Sequence, residues 1–234
     1  MPRQNAVTLA ICAWLALSGC ALAPAEPGER SASAPIEGVL QGKGAPPVIF
    51  ESGLGQGRES WSEVAPAIEQ ETSVWTYDRP GYGRRPPATT PRDGDRVVEE
   101  LRATLRANGV EPPYVLVGHS LGGLYMQLFA RRHPQEVAGL VLVDSTHPRQ
   151  FEGAGSAERR PLWMRALLGV GLTGVARTEF DAIDETGREV LAAPVITGKP
   201  VVILVARDAQ NGDELSRDIA EKRADLGRLY PGSD

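Results

Sequence analysis

A seven-residue segment in the middle of the chain constrains the fold more than any other feature. The segment Val117–Gly123, with the sequence V-G-H-S-L-G-G, directly follows an apolar run and directly precedes a helical pattern. A G-x-S-x-G string in this context predicts a sharp turn from a buried strand into a helix. Glycine is expected at 118 and 122 because side chains there would collide with neighbouring backbone. The turn is predicted to lift the Ser120 hydroxyl clear of the sheet, beside the helix N-terminus.

Strand-like and helix-like segments alternate on both sides of this turn. The strand-like runs are apolar on both faces, as expected for parallel strands that helices cover on both sides. The predicted strands are Pro47–Phe50, Ser73–Tyr77, Tyr114–Val117, Gly139–Val143 and Val201–Val205, and the predicted helices are Trp61–Glu71, Val97–Ala107, Leu121–Arg132 and Glu214–Leu229. The alternation predicts an α/β fold with an open, doubly wound and mostly parallel sheet.

Residues 148–195, between the last two predicted strands, differ in character from the rest of the chain. Several glycines interrupt them, and Pro161–Met164 and Ala166–Leu168 are typical of short apolar helices. A segment of this length inside a compact domain is more often functional than a bare loop. Because ligands of open α/β sheets bind at the carboxyl ends of the strands, the segment is predicted to be a short helical lid. The alternative is a surface segment that packs on the core and has no role in ligand binding.

The beginning of the chain is predicted to be a signal peptide over residues 1–19. A short apolar run of signal-peptide length, too short to span a bilayer, ends in Leu17-Ser18-Gly19-Cys20. This tetrapeptide resembles the lipobox of bacterial lipoproteins, in which cleavage exposes a cysteine that carries lipid. Residues 20–35 are then a lipidated cysteine and a flexible tether, and residues 36–234 form the domain. The alternative is an ordinary signal peptide with an incidental cysteine.

Charge and cysteine content limit the partners that we expect. The net charge is −5 and no basic run is present, so nucleic acid is not an expected partner. Cys12 and Cys20 are the only cysteines, so the predicted domain has no disulfide and no thiolate metal site. Lipid on Cys20 predicts a membrane anchor in a bacterial cell envelope, on the periplasmic side or at the surface. Ala21 replaces the aspartate that often retains lipoproteins in the inner membrane, which favours the outer membrane.

A second glycine-rich turn follows the first predicted strand. The segment Glu51–Gly57, E-S-G-L-G-Q-G, can bring a backbone N–H group toward a reacting carbonyl. An oxyanion hole needs two such donors where negative charge develops. The predicted donors are the amides of Leu54 and of Leu121, the residue after Ser120. The alternative, a phosphate-binding loop, is disfavoured because the chain has no G-x-x-x-x-G-K-[ST] string.

Four motifs, in this order along the chain, resemble the α/β-hydrolase superfamily. They are Glu51–Gly55, Asp78–Gly83 (D-R-P-G-Y-G), Gly118–Gly123 and Leu142–Pro148 (L-V-D-S-T-H-P). The resemblance covers about residues 38–234. It implies a carboxylesterase-like serine hydrolase that acts on a small-molecule ester or related acyl substrate through an acyl-enzyme, without a metal or organic cofactor. Ser120 is then the nucleophile.

The resemblance also implies an acid after the strand Val201–Val205, since the order in this fold is nucleophile, acid, histidine. Asp208 is the first choice for this acid, Asp213 is the second and Asp144 is the third. Asp78 is interpreted instead as a structural residue that holds the turn after it.

The histidine that the resemblance implies is missing, because His119, His133 and His147 all precede Asp208. His119 is expected to point away from the Ser120 hydroxyl, and His133 to lie at a helix end. His147 is the one candidate for a relocated base, although a role in the pocket wall is favoured. We expect a truncated sequence that lacks the C-terminal strand and helix of the fold, and a chain that is at best weakly active. The alternative is a catalytically inactive hydrolase-fold lipoprotein that binds a ligand.

Overall fold

A six-stranded sheet runs through the computed structural model, which describes residues 37–159, 162–206 and 214–233. The predicted signal peptide, the lipidation site Cys20, the tether and the candidate acids Asp208 and Asp213 lie outside the described residues. Within these ranges, no helix is long and apolar enough to cross a membrane.

The strands confirm the predicted mostly parallel sheet. They are β1 (Gly38–Gln41), β2 (Val48–Glu51), β3 (Val74–Tyr77), β4 (Tyr114–His119), β5 (Val137–Val143) and β6 (Val201–Leu204). Their order across the sheet is β1-β3-β2-β4-β5-β6. Strands β2 to β6 are parallel, and β1, which the sequence analysis missed, pairs antiparallel with β3.

Helices flank the sheet on both sides. They are α1 (Ala65–Ile68), α2 (Gly94–Ala107), α3 (Leu121–Arg132), α4 (Leu162–Gly171), α5 (Gly174–Asp181), α6 (Ile183–Ala192) and α7 (Glu214–Leu229). The helix predicted over Trp61–Glu71 is instead a 3₁₀ turn, Arg58–Trp61, followed by the short α1. Pro66, which has no N–H group, lies in the first turn of α1 and is compatible with a helix start rather than a helix interior. The two short helices predicted between 161 and 168 are one helix, α4.

Two apolar clusters cover opposite faces of the sheet, as the doubly wound arrangement requires. Ile49 of β2 belongs to the larger cluster, whereas its neighbours Val48 and Phe50 belong to the smaller one, because successive strand side chains point to opposite faces. Helix α3 is buried along its length from Leu121 to Arg131 and lies in the larger cluster. Helices α2 and α6 pack against it.

The predicted lid range 148–195 therefore contains a helix that belongs to the core. Ile183 and Val190 of α6 are buried in the larger cluster. Helix α4, in contrast, exposes Leu162 and Val170 by 78% and 82%.

The register of the strands brings four chain segments to one edge of the sheet. Glu51 at the end of β2 pairs with Gly118 of β4, and His119 pairs with Val143 at the end of β5. The segments that follow β2, β4, β5 and β6 consequently meet at the carboxyl edge of the sheet. This edge is where ligands bind in open α/β sheets.

Candidate active site

Ser120 lies at this edge with a backbone conformation that serine rarely adopts. Its φ and ψ angles are 50° and −120°, directly before the first residue of α3. Its N–H group donates to the Val143 carbonyl of β5 at 3.1 Å, and its carbonyl accepts from the amides of Gly123 and Thr146, both at 3.0 Å. Three backbone hydrogen bonds from two sides thus hold the turn in its positive-φ conformation.

The glycines of the turn are required by close backbone contacts, as the sequence predicts. A Cβ atom on Gly118 would lie 2.6 Å from the Gly122 carbonyl oxygen. A Cβ atom on Gly122 would collide with the Glu51 carbonyl and would lie 2.6 Å from the Ser52 carbonyl oxygen. The tight turn therefore packs directly against the chain that leaves β2.

The loop after β2 flanks Ser120 and brings the first predicted oxyanion donor to the site. A Cβ atom on Gly53 would lie only 3.3 Å from the Cβ atom of Ser120. The amide of Leu54 follows Gly53 directly, and the amide of Leu121 is the first of α3. Neither amide donates a hydrogen bond to any group in the described residues. An oxyanion hole needs two N–H groups aimed at one point. The two predicted donors belong to segments that adjoin the same serine.

Asp78 connects the loop after β2 to the turn after β3. Its Oδ1 accepts a hydrogen bond from the Arg58 amide at 2.8 Å. A Cβ atom on Gly83 would lie 2.6 Å from Asp78 Oδ2, so the turn closes tightly over this carboxylate. These contacts agree with the interpretation of Asp78 as a structural residue.

Of the three candidate acids, only Asp144 lies in the described residues. It follows β5 with a φ of 42°, and its Oδ1 accepts a hydrogen bond from the Ala206 amide at 2.8 Å. The same oxygen lies 3.5 Å from a guanidinium nitrogen of Arg223 in α7. Asp144 thereby links the ends of β5 and β6 to α7, and its carboxylate is engaged by these groups.

The ring of His119 faces the loop after β2. Its Nδ1 lies 3.0 Å from the Gln56 side-chain oxygen, which accepts the hydrogen bond. Burial lowers the pKa of His119, and the nearby carboxylate of Asp144 offsets part of this shift. The imidazole is consequently neutral near pH 7 and holds Gln56 in place.

His147 is buried, and among the described residues only its Nδ1 takes part in a hydrogen bond. Nδ1 accepts a hydrogen bond from the Arg149 amide at 3.0 Å, so the ring proton of the neutral form is on Nε2. Nε2 lies 3.5 Å from the Asp225 carboxylate of α7, and burial lowers the pKa of His147. A ring with this tautomer and these partners has no free lone pair to take a proton from Ser120.

His133 is remote from the site. It caps the far end of α3, about 20 Å from Ser120 at the usual helical rise per residue. Its Nε2 lies 2.9 Å from the Glu99 carboxylate. Within the described part of the chain, the Ser120 hydroxyl forms no hydrogen bond to a histidine, and no group of three or more His, Cys, Asp or Glu side chains is arranged to hold a metal ion.

One buried cluster at the site was missed by the sequence analysis. Arg79, which follows β3, binds both Glu51 at the end of β2 and Glu179 of α5, and all three side chains are almost fully buried. Arg79 lies inside one of the motifs, but Glu179 comes from the predicted lid, 100 positions away. No local pattern in the sequence distinguishes Glu179 from a solvent-exposed helical glutamate.

The fold and the strand-to-helix turn at Ser120 define an α/β hydrolase. Residues 46–165, half of the chain, match the alpha/beta hydrolase fold family, and the chain belongs to this family. Among curated proteins, it is 36% identical over 97 residues to the uncharacterized protein YqjL of Bacillus subtilis, across 42% of this chain and 38% of YqjL. The chain covers between 24% and 38% of the length of the first curated relatives that it matches.

Solved structures share the fold at low sequence identity. Est816, described as an N-acyl homoserine lactone degrading enzyme, superposes with a TM-score of 0.61 at 19% identity, covering 85% of this chain and 86% of that chain. A putative lipase (lip1) from Acinetobacter baumannii AYE superposes with a TM-score of 0.60 at 20% identity, covering 84% of this chain and 77% of that chain. At this level of identity the likeness establishes the fold alone.

Proposed function

We propose that the protein is a serine hydrolase that cleaves a carboxylic ester or a related acyl substrate, with Ser120 as its nucleophile. The observation that carries the proposal is the positive φ angle of Ser120 at the turn from β4 into α3. The loop after β2 and the first residue of α3 adjoin this turn, and their Leu54 and Leu121 amides donate no hydrogen bond among the described residues. The names of the two structural neighbours, an acyl homoserine lactone degrading enzyme and a putative lipase, support acyl chemistry on this fold.

In the proposed reaction, the Ser120 oxygen attacks the substrate carbonyl carbon. The amides of Leu54 and Leu121 donate to the oxyanion that forms, and the alcohol then leaves with a proton. Water attacks the resulting acyl-enzyme, which releases the carboxylic acid and restores the serine. Asp208 remains our first choice for the acid of the site.

The described residues place no histidine on the Ser120 hydroxyl, so we expect slow turnover for this chain. A serine hydroxyl without an adjacent base stays protonated at neutral pH and is a poor nucleophile. In well-studied triad enzymes, oxyanion donors and binding alone retain roughly 10³–10⁴-fold acceleration over water. The proposal is therefore best tested with a reagent that reports the reactivity of the serine directly.

We expect a fluorophosphonate probe to label Ser120, and the substitution Ser120→Ala to abolish both labelling and the hydrolysis of short p-nitrophenyl esters. The alanine variant should keep its melting temperature to within a few degrees, because it removes only one partly exposed hydroxyl group. Peptide mapping of the labelled protein identifies the modified residue.

Ser62→Ala is the matched control, since Ser62 is exposed and follows the 3₁₀ turn Arg58–Trp61, outside the motif at Ser120. This variant should be labelled and should hydrolyse esters as the wild type does. Labelling of a different serine, no labelling of the wild type, or unchanged turnover in Ser120→Ala would contradict the proposal.

A further inference from the structure

A buried guanidinium group joins three separate parts of the site. Arg79 is 2% exposed, and each of its five N–H groups has an acceptor. Nε and one Nη2 hydrogen bind the two carboxylate oxygens of Glu179 at 2.9 and 3.0 Å. Nη1 donates to Glu51 Oε1 at 2.5 Å and to the Ser52 carbonyl at 2.7 Å. The second Nη2 hydrogen binds the Gly53 carbonyl at 2.9 Å.

The contact with the Gly53 carbonyl bears directly on the predicted oxyanion donor. That carbonyl and the Leu54 N–H group belong to one planar peptide unit and point in opposite directions. Fixing the Gly53 oxygen therefore fixes the direction of the Leu54 N–H group. A cationic donor on the oxygen also polarises the peptide, which makes its N–H group a stronger hydrogen-bond donor.

A second contact holds the other side of Leu54. The Gly55 amide donates to the Tyr82 hydroxyl at 3.2 Å, and this hydroxyl donates in turn to Glu179 at 2.7 Å. Glu179 thus acts on the loop by two routes, one through Arg79 and one through Tyr82. The first route ends on the peptide unit of the predicted donor itself, and the second ends on the next peptide unit.

Glu179 brings α5 into this arrangement. It is 0% exposed and is the one buried residue of α5, all of which the structure describes. Its bidentate contact sets the plane of the guanidinium group, which a single hydrogen bond would leave free to rotate. A movement of α5, which lies within the predicted lid, would therefore move Arg79 and with it the loop after β2.

We propose that Glu179 and Arg79 are positioning residues that orient the Leu54 amide for oxyanion binding, and that they couple α5 to the reactivity of Ser120. This inference rests on the proposed function, in which Ser120 is the nucleophile and the Leu54 amide is an oxyanion donor. A purely structural cluster would stabilise the fold without selectively changing the rate of the chemical step.

The experiment measures the rate at which a fluorophosphonate modifies Ser120 in the full chain. The serine oxygen forms a bond to phosphorus, fluoride leaves with the bonding electrons and the serine proton passes to water, while the phosphoryl oxygen takes the place of the oxyanion. Saturation kinetics separate the binding constant KI from the maximal rate kinact. We expect Glu179→Gln to lower kinact about tenfold or more and to leave KI within about twofold, because the donor acts in the transition state.

The matched control is Asp181→Asn on the same helix. Asp181 pairs with Arg177 at 2.8 Å on the exposed side of α5, so its removal breaks an ion pair without touching the cluster. This variant should keep both kinact and KI. A comparable loss of kinact in Asp181→Asn would overturn the inference.

Tyr82→Phe keeps the test decisive if Glu179→Gln does not fold. It removes the acceptor of the Gly55 amide but leaves the buried Arg79–Glu179 pair intact. We expect a loss of kinact of about threefold or more, again with little change in KI. An unchanged kinact in the folded variants, or parallel changes in KI and melting temperature, would assign the cluster a structural role only.

The two proposals fail in distinguishable ways. A wild-type protein that is not labelled at Ser120 contradicts the proposed function and the inference that rests on it. A wild type that is labelled at Ser120, together with Tyr82→Phe and Glu179→Gln variants that react at the wild-type kinact, overturns the positioning role alone.

Discussion

At the scale of single residues, Ser120 has an unfavourable backbone conformation that backbone hydrogen bonds stabilise. A non-glycine residue at positive φ costs about 1–3 kcal/mol and persists only where its surroundings determine it. Here β5, the segment after β5 and the first turn of α3 each contribute a backbone hydrogen bond to Ser120. The hydroxyl is consequently presented at the carboxyl edge of the sheet by backbone contacts rather than by its own side-chain partners.

The most restrictive of these contacts is at Gly122. A Cβ atom there meets the carbonyls of Glu51 and Ser52, which are backbone atoms of a buried strand end and cannot easily move. We predict that Gly122→Ala destabilises the protein by about 1–3 kcal/mol through overpacking, and that it also slows Ser120 labelling by displacing the loop after β2. Denaturant unfolding gives the first quantity and probe kinetics the second.

Gly169→Ala is the control for this substitution. Gly169 lies in α4, and a Cβ atom there would have no neighbour within 4 Å. Because alanine favours a helix by up to about 1 kcal/mol over glycine, this variant should be as stable as the wild type or more stable. Equal stability of the Gly122→Ala protein and the wild type would refute the packing argument.

The parts of the site that the sequence predicts are those encoded by adjacent residues. The turn at Ser120 with its glycines, and the interpretation of Asp78 as a structural residue, follow from motifs that are contiguous in the sequence. The pairing of Arg79 with Glu179 could not be predicted, because it joins two residues 100 positions apart and depends on where α5 docks. Asp208 stays a prediction, since it lies outside the described residues.

At the scale of elements, α6 docks on α2 through a contact that depends on pH. The Glu189 carboxylate of α6 accepts a hydrogen bond from the Asp95 amide, in the first turn of α2, at 3.2 Å. Burial, together with the nearby carboxylates of Asp95 and Asp93, raises the pKa of Glu189 to about 7. The folded protein therefore binds this proton more tightly than the unfolded chain does.

We predict that this contact loses stability as pH rises. The contribution of a carboxyl group with a raised folded pKa is fully present below the unfolded value of about 4.5, and it is lost as pH rises through about 7. The free energy of unfolding of the wild type should therefore fall relative to that of Glu189→Gln between about pH 5 and pH 8. Denaturant unfolding at several pH values measures the difference.

Asp184→Asn, an exposed acidic position on the same helix, serves as the control and should follow the pH dependence of the wild type. If Glu189→Gln and the wild type respond identically to pH, Glu189 does not take up a proton on folding in this range.

Strands and helices could be predicted where apolar residues recur at the spacing of a buried face. The parallel strands are apolar on both faces, and α2 carries Val97, Leu101 and Leu105 at helical spacing on its buried face. Strand β1 escaped prediction because half of it is exposed, and its strand conformation depends on pairing with β3. The docking of α6 on α3 likewise depends on long-range packing, so the lid range could not be divided from sequence alone.

At the scale of the whole molecule, the net charge bears on how the protein would be held at a membrane. No helix in the described ranges is suited to span a bilayer. Removing residues 1–19 takes away Arg3 and no acidic residue, so the net charge changes from −5 to −6. An acidic protein of this kind is not attracted to anionic lipid by its overall charge.

From the resemblance of Leu17–Cys20 to a lipobox, we predict that the mature protein begins at Cys20 and is held by acyl chains on that residue. Each buried CH₂ group contributes roughly 0.8 kcal/mol, so that two or more chains anchor a protein stably without any basic surface. Expressed in a bacterial host, the wild type should partition into detergent and show lipid mass on an N-terminal Cys20 peptide. Cys20→Ser should remain unlipidated, whereas Cys12→Ser, inside the predicted signal peptide, should be processed as the wild type is. A mature N-terminus at any other residue, or a Cys20 peptide without lipid, would show that the resemblance of Leu17–Cys20 to a lipobox is incidental.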